Sequence, residues 1–431
     1  MALAALAAFL TSLLLTPLVA IAAWKAGAVS HPDGARRLQA KPVPLWGGFA
    51  VLVGMIAGTG AAWAAGLIAG EAARFSAALM LSAGTICLLG CYDDCREISA
   101  AAKLLGQLVA VLPLVLAGFY AERLLLFGYE IELGWLGVPV TMAWFALAVN
   151  ALNLLDGMDG LASLTGIVIS IGIAVISAAL GSQVATAPAL LLAAALTGFL
   201  VHNFPPARIY LGDAGSLLVG LLLAAMAMRS SAGEATTMNG SVASILLLLP
   251  LADTSLAVVR RLLRKQSVFQ GDRGHVHHRL LDRGFSTAQA LAVLGGLSLA
   301  NGGLAWFAAV SGREPLAWST VAAGLPLLIY ARLLAHEEWA LVRRALPAPA
   351  LWTLPSASDT PLAEEKIVAL PIEIGSGARP SPVLEPHFRR EPLPVAEGDG
   401  NSQEAESTRT RRKRTILPVA TRSSKQRRRA A

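Results

Sequence analysis

Apolar runs long enough to cross a bilayer recur along the chain, separated by short loops that collect most of the charge. A crossing helix needs about 20 mostly apolar residues. Eleven segments approach that length, near 2–24, 45–69, 75–92, 104–121, 136–153, 160–181, 186–202, 214–230, 240–262, 288–310 and 315–335. The pattern predicts an all-α polytopic membrane protein. One loop differs: Leu124 to Leu133 reads LLLFGYEIEL, with Gly128 at its centre and apolar–polar alternation after it, which predicts a short β-hairpin on the outer, periplasmic side. Beyond about Leu346 the apolar periodicity stops, and Pro, Ser, Glu and Ala dominate. The expected division is a membrane domain over 1–340 and a disordered basic cytoplasmic tail over 341–431.

Composition agrees with the pattern. Hydrophobic residues make up 55% of the chain and charged residues 15%, and the mean hydropathy is +0.60. A soluble domain is about 45–50% apolar and roughly 25% charged. The first run lacks a preceding Lys or Arg and is too long for a signal-peptide core, so it reads as an uncleaved anchor with its N-terminus outside. Cys87, Cys91 and Cys95 stand at spacings of four, on one helix face, with no Cys-x-x-Cys pair for zinc. They read as small packing residues.

Charge then sets the orientation. The odd-numbered loops carry 14 Lys and Arg and the even-numbered loops carry 4. Positive loops favour the cytoplasm, which puts the odd loops and the C-terminus inside. The last part of the tail, Arg409 to Ala431, holds ten basic residues and no acidic one, a composition suited to anionic lipid or nucleic acid.

The same odd loops hold the unusual polar residues. Ionisable residues at helix ends in a membrane protein mark functional sites. The first cluster is Arg36-Arg37 with Lys41-Pro-Val-Pro44 and Gly47-Gly48, basic residues that can hold a phosphate or simply fix topology. The second is Asp93-Asp94, with Lys103 and Gln107 following. Adjacent carboxylates repel, and a metal, a lysine or a shared proton relieves the repulsion. The third is Asn150-Ala-Leu-Asn153-Leu-Leu-Asp156-Gly-Met-Asp159-Gly160, where a continued helix would line Asn153, Asp156 and Asp159 along one face. The fourth runs from Asn203 to Gly212-Asp213-Ala-Gly215-Ser216. It places Asp213 at a helix mouth, where it can hold Mg²⁺ while free backbone N–H groups face phosphate, or act as an N-cap. The fifth is Asp253, Arg260, Arg261 and Asp272-Arg-Gly-His275-Val-His277-His278. These histidines can bind zinc or grip phosphates, and their basic neighbours favour the anion. His31, His202, His336 and His387 are isolated and are assigned no role.

These motifs, in this order and spacing over roughly residues 1–335, resemble the polytopic polyprenyl-phosphate N-acetylhexosamine-1-phosphate transferases. The resemblance implies an eleven-helix fold in the bacterial cell membrane with a cytoplasmic active site. The implied reaction moves a sugar 1-phosphate from a UDP-sugar to undecaprenyl phosphate and releases UMP, with Mg²⁺ or Mn²⁺. It further implies Asp93 and Asp94 as the catalytic pair and Asp213 as the metal ligand. Lys103, Asn153, Asp156, Asp159 and Asn203 would line the substrate pocket, and His275, His277 and His278 would contact the nucleotide-sugar. The His-x-His-His spacing resembles the N-acetylglucosamine branch; the muramyl-pentapeptide branch shows three consecutive histidines. Gln39, Leu45 and His31 stand where the family usually has His, Arg and Asp. The sequence leaves open the donor sugar, the final envelope glycan (lipopolysaccharide, teichoic acid or another), a homodimer, and whether transfer is a single displacement or passes through a covalent aspartyl intermediate. A secondary transporter also carries carboxylates on broken helices, but it would place them near the midplane of an internal repeat. Here they lie at helix ends on one side, and no repeat is visible.

Overall fold

The computed structural model describes residues 1–32, 41–230, 236–267 and 274–330. The basic pair Arg36-Arg37, Gln39, Asp272 and the tail expected to be disordered lie outside the described residues. The chain starts with α1 (Ala2–Ala26), whose C-terminus is closed by Gly27 in the left-handed conformation. Two short antiparallel strands, β1 (Val29–Ser30) and β2 (Val43–Pro44), follow. Next come α2 (Gly47–Ala64), α3 (Gly70–Cys95) and α4 (Ala100–Leu116), the last capped by the Ser99 hydroxyl, which accepts from the Ala102 N–H.

The expected hairpin is present as β3 (Arg123–Leu126) paired antiparallel with β4 (Tyr129–Glu132). Its two turn residues, Phe127 and Gly128, have φ of 53° and 85°, the double positive φ that a two-residue hairpin needs to match strand twist. A third strand, β5 (Thr237–Asn239), pairs parallel with β3. The sequence did not announce it, because three residues carry no alternation to read. Helices α5 (Gly137–Leu155), α6 (Leu161–Ala179), α7 (Gln183–Asn203) and α8 (Gly212–Met228) precede β5. After it come α9 (Gly240–Leu246), α10 (Leu248–Leu263), the short α11 (Val276–Leu281), α12 (Thr287–Ser311) and α13 (Glu314–Tyr330).

Among the described residues, seven helices are long and apolar enough to cross a membrane, or eight if one bent pair counts as a span; α4 and α8 are shorter apolar helices. The protein is thus a multi-pass membrane protein. The segment expected as one span over 240–262 is broken at Leu247, where α9 and α10 meet at 83°. Pro250 explains the break: its ring would clash with the carbonyl four residues earlier in a continuous helix, yet it fits the first turn of a new one.

Helix α8 is the centre of the bundle. Every residue from Ala214 to Met228 is buried. With 17 residues it reaches roughly 26 Å, and α3 and α5 pack along it. An all-apolar helix enclosed by other helices has no lipid face to show, hence its lack of an amphipathic stripe. Glycines let its N-terminus approach its neighbours. A Cβ on Gly48 would strike the Gly215 backbone, and one on Gly90 would strike the backbone of Asp213 and Ala214.

Candidate active site

The polar ends of α3, α4, α5, α7 and α8 meet at one end of the bundle. Asp93 and Asp94 lie in the last turn of α3, and Asp213 is the second residue of α8. Asp213 is therefore not the N-cap, and two of the N–H groups at this helix mouth, expected to face phosphate, already have a partner. Asp94 takes them: its two carboxylate oxygens accept from the Asp213 N–H at 2.8 Å and the Ala214 N–H at 3.2 Å. A carboxylate at a helix N-terminus satisfies orphan donors and the positive end of the helix dipole together. Gly212, at φ 71°, makes room, since a Cβ there would come 2.6 Å from the nearer Asp94 oxygen.

Lys103, in the first turn of α4, joins the remaining acids. Its ammonium lies 2.9 Å from Asp93 Oδ2 and 2.9 Å from Asp213 Oδ2. The other oxygen of Asp93 accepts from the Ile98 N–H at 3.0 Å, which shapes the turn between α3 and α4. Asn153 Nδ2 donates to Asp213 Oδ1 and, at 2.8 Å, to the Ser216 hydroxyl. One turn further from the site, Gln107 and Asn150 exchange two hydrogen bonds, of 3.3 and 2.7 Å, and fix α4 against α5.

The expected helical stripe of Asn153, Asp156 and Asp159 does not form. Helix α5 ends at Leu155, and Asp156 occupies its C-cap with ψ 49°, outside the helical range. The chain then turns through Gly157 to Gly160, whose φ of 74° starts α6. The break sends the two aspartates different ways. Asp156 faces the cluster, and its carboxyl is pushed up to about 8 by burial first and then by the charges of Asp213, Asp94 and Asp159. Asp159 turns to the segment after α7, where its Oδ2 accepts from the Ala207 N–H at 2.9 Å. Asn203 is buried in the same corner. It accepts from the Ser163 hydroxyl at 2.8 Å and donates to the Ile209 carbonyl at 3.0 Å. Asp159 and Asn203 thus brace the 204–211 segment that leads into Asp213.

The first loop reaches the site by its backbone. The Tyr210 N–H donates to the Pro44 carbonyl, and Gly47 and Gly48 donate to the carbonyls of Tyr210 and Leu211, at 2.9, 3.0 and 3.0 Å. Trp46, with φ 73°, sends its indole N–H to the Cys91 carbonyl at 3.2 Å. Gly90, Trp46 and Ser163 make contacts at this end of the bundle that reading by charge missed, and Gly90, beside the glycines already noted at 47, 48 and 215, was the available signal. The cysteines on α3 run from buried Cys87 to exposed Cys95 and form no disulfide.

His277 and His278 lie in α11, and His275 is its N-cap. Asp253 on α10 accepts from the Val276 N–H at 2.9 Å and binds His275 Nδ1 at 2.8 Å, which fixes the start of α11. His277 is buried, flanked by the rings of His275 and His278 at 5.9 and 4.2 Å. Its edge abuts Gly157, where a Cβ would collide with the imidazole, so α11 closes directly over the residue beside Asp156. Burial, and after it the neighbouring His278, hold the His277 imidazolium down to about 3, so the ring is neutral at pH 7. Of the histidines left without a role, His202 bonds the Leu13 carbonyl at 3.0 Å and ties α7 to α1.

Among the described residues no group of three or more His, Cys, Asp or Glu is disposed around a single metal position. The donor set still fits a hard cation. Mg²⁺ takes oxygen ligands and is commonly held by one or two carboxylates together with substrate phosphates. Asp93 and Asp213 face each other across a position already taken by a positive charge, the Lys103 ammonium. Such a site offers a divalent cation two carboxylates and leaves its remaining positions to phosphate and water.

The glycosyl transferase family 4 model matches residues 76–231, which include Asp93, Asp94, Asn153, Asp156, Asp159, Asn203 and Asp213. The chain is 33% identical over 294 residues to the probable undecaprenyl-phosphate N-acetylglucosaminyl 1-phosphate transferase of Bacillus subtilis, covering 66% of this chain and 78% of that protein. It is 31% identical over 324 residues to the decaprenyl-phosphate N-acetylglucosaminephosphotransferase of Mycolicibacterium smegmatis, covering 68% and 78%. Over 281 residues it is 28% identical to the undecaprenyl-phosphate alpha-N-acetylglucosaminyl 1-phosphate transferase of Escherichia coli O157:H7, covering 63% and 73%. The chain belongs to glycosyl transferase family 4.

Proposed function

We propose that this chain transfers N-acetylglucosamine 1-phosphate from UDP-N-acetylglucosamine to a polyprenyl phosphate, undecaprenyl phosphate in the first instance, and releases UMP. The observation that carries the reading is the Asp93–Lys103–Asp213 bridge at the end of a buried helix. It is a charged, oxygen-rich site where the polar ends of membrane helices meet. A lipid-borne phosphate and a water-soluble nucleotide-sugar can come together there. The printed activities of the similar proteins support the substrates. The positive-loop count supports a cytoplasmic active face, and the eleven helical segments support eleven spans if α4, α8 and α13 also cross.

In this reading the acceptor phosphate oxygen attacks the sugar-side phosphorus; the new P–O bond forms as the bond to the UMP oxygen breaks. Asp213 and Asp93 would hold Mg²⁺ or Mn²⁺, which when bound would supply charge neutralisation to the pyrophosphate and the leaving UMP. Asp94 keeps α8's first turn in place; both its oxygens are occupied by backbone N–H groups, so it positions rather than reacts. Asp93 is held by the Ile98 N–H on one oxygen and faces Lys103 with the other, which directs it toward the cation position it shares with Asp213. Asp156, whose carboxyl burial and the charges of Asp213, Asp94 and Asp159 push up, faces the same cluster and in its protonated form donates a hydrogen bond to a phosphate or sugar oxygen. Asn153 orients Asp213, while Asp159 and Asn203 brace the segment before it. Neutral His277, with His275 and His278, forms the wall against the nucleotide-sugar.

Purified protein with UDP-N-acetylglucosamine, undecaprenyl phosphate and Mg²⁺ should yield UMP in proportion to acceptor. UMP formation that does not depend on acceptor, or its absence with every UDP-N-acetylhexosamine, would refute the reading.

A further inference from the structure

Lys103 is the cation that touches both Asp93 and Asp213, with two equal contacts of 2.9 Å. It projects from the first turn of α4, beyond the helix-to-helix bonds of Gln107 and Asn150 that hold α4 in place. The backbone beneath it is therefore fixed, while the ammonium is carried on a flexible four-carbon stem. Asp213 is held from its other oxygen by Asn153, which is itself held to Ser216. Asp93 is held from its other oxygen by the Ile98 N–H. Both carboxylates thus keep their positions if the ammonium leaves, and the ammonium is the one movable partner in the bridge. An ammonium is a compact point charge with no preferred fork geometry, so it can exchange with another compact cation.

Resting on the function proposed above, we propose that Lys103 is a displaceable counter-ion. Its ammonium fills the position between Asp93 and Asp213 while the site is empty. It yields that position to the divalent cation and then turns to the phosphates of the nucleotide-sugar. The exchange neutralises two carboxylates in the resting protein, which would otherwise repel. It also supplies a positive charge to the donor only once the metal has arrived, so the order of binding is metal first and donor second.

The test uses the full wild-type protein. Lys103 is acylated with acetic anhydride in short pulses and quantified by peptide mass spectrometry, with Lys25 and Lys41 as internal references. Labelling of Lys103 should rise several-fold on adding Mg²⁺ alone and fall again when UDP-N-acetylglucosamine follows. Labelling that Mg²⁺ leaves unchanged or lowers would overturn the proposal, as would labelling that stays high once donor is added. A second measurement reads metal affinity by the electron paramagnetic resonance of free Mn²⁺. Lys103→Met should bind Mn²⁺ on the order of tenfold more tightly than wild type, because a charge at contact distance no longer competes. Lys103→Arg, which keeps the charge, should not gain affinity. Equal or weaker Mn²⁺ binding by Lys103→Met, or an equal gain in Lys103→Arg, contradicts displacement. The two readings fail separately: a labelling response without UMP formation would refute the transferase reading and leave this inference, and UMP formation with no labelling response would do the reverse.

Discussion

The aspartate side and the histidine side of the active end are built differently. The aspartates come from the ends of long buried helices, and each carboxylate that shapes the cluster is held by a partner on a different helix or by backbone N–H groups. The histidines come from α11, which spans six residues and is attached through Asp253 to the broken helix pair α9–α10. A site for phosphoryl transfer depends on placing charge to within a fraction of an ångström, which rigid helix ends provide. A wall that reads a nucleotide-sugar must let it in and out, and a short helix at a helix break is suited to that. On the function proposed above, chemistry falls to the first side and donor selection to the second.

The largest effect should come from the aspartate side. Asp213→Asn keeps the size and the packing at the α8 mouth but removes the charge, and UMP formation should fall by about 100-fold or more, with thermal stability in detergent little changed. A loss below tenfold would move the chemistry away from Asp213. Gly90→Ala comes next. Its methyl would meet the backbone of Asp213 and Ala214, and overpacking of this kind costs about 1–3 kcal/mol. The expected outcome is a lower unfolding temperature together with lost activity, whereas Gly60→Ala, at a glycine with open space around it, serves as the control.

On the histidine side the effect should be smaller and of another kind. His277→Leu removes a ring whose two nitrogens are buried without a hydrogen-bond partner among the described residues. One lost bond to donor should raise KM for UDP-N-acetylglucosamine about tenfold and leave KM for the lipid acceptor unchanged. Equal changes in both constants would undo the division of labour.

The two sides also differ in the sign of their response to pH. Asp156 titrates higher in the folded protein than in the unfolded chain, so its stabilisation is full below about pH 4 and is lost as pH rises toward about 8. His277 titrates lower when folded, so its contribution is full above about pH 6.5 and is lost as pH falls toward about 3. Unfolding temperatures measured from pH 5 to 8 should therefore respond in opposite senses. Asp156→Asn should remove a slope that falls with pH, and His277→Gln should remove one that rises with it.

Much of this site could be read from residue order because charge is costly at membrane helix ends and is seldom placed there without a use. Asp93, Asp94, Asp213 and the Asn153 run were visible for that reason, and the hairpin was visible from Gly128 between apolar strands. The partners of these groups were not. Asp94 was legible as a carboxylate but not as the cap of α8, because the two are 119 residues apart and only the packing of α3 on α8 unites them. The regular spacing of Asn153, Asp156 and Asp159 implied a continued helix, yet Gly157 and Gly160 allowed the chain to turn and divide the two aspartates between separate tasks. The break at Leu247 was hidden by a run of leucines, although Pro250 was there to mark it.

The central claim is that the bond broken lies between the two phosphorus atoms of the donor. UDP-N-acetylglucosamine labelled at the sugar-side phosphorus tests it directly. With polyprenyl phosphate and Mg²⁺ the account places the label in the lipid product and leaves the released UMP unlabelled. Label recovered in released UDP, as transfer of the sugar alone would give, would contradict it.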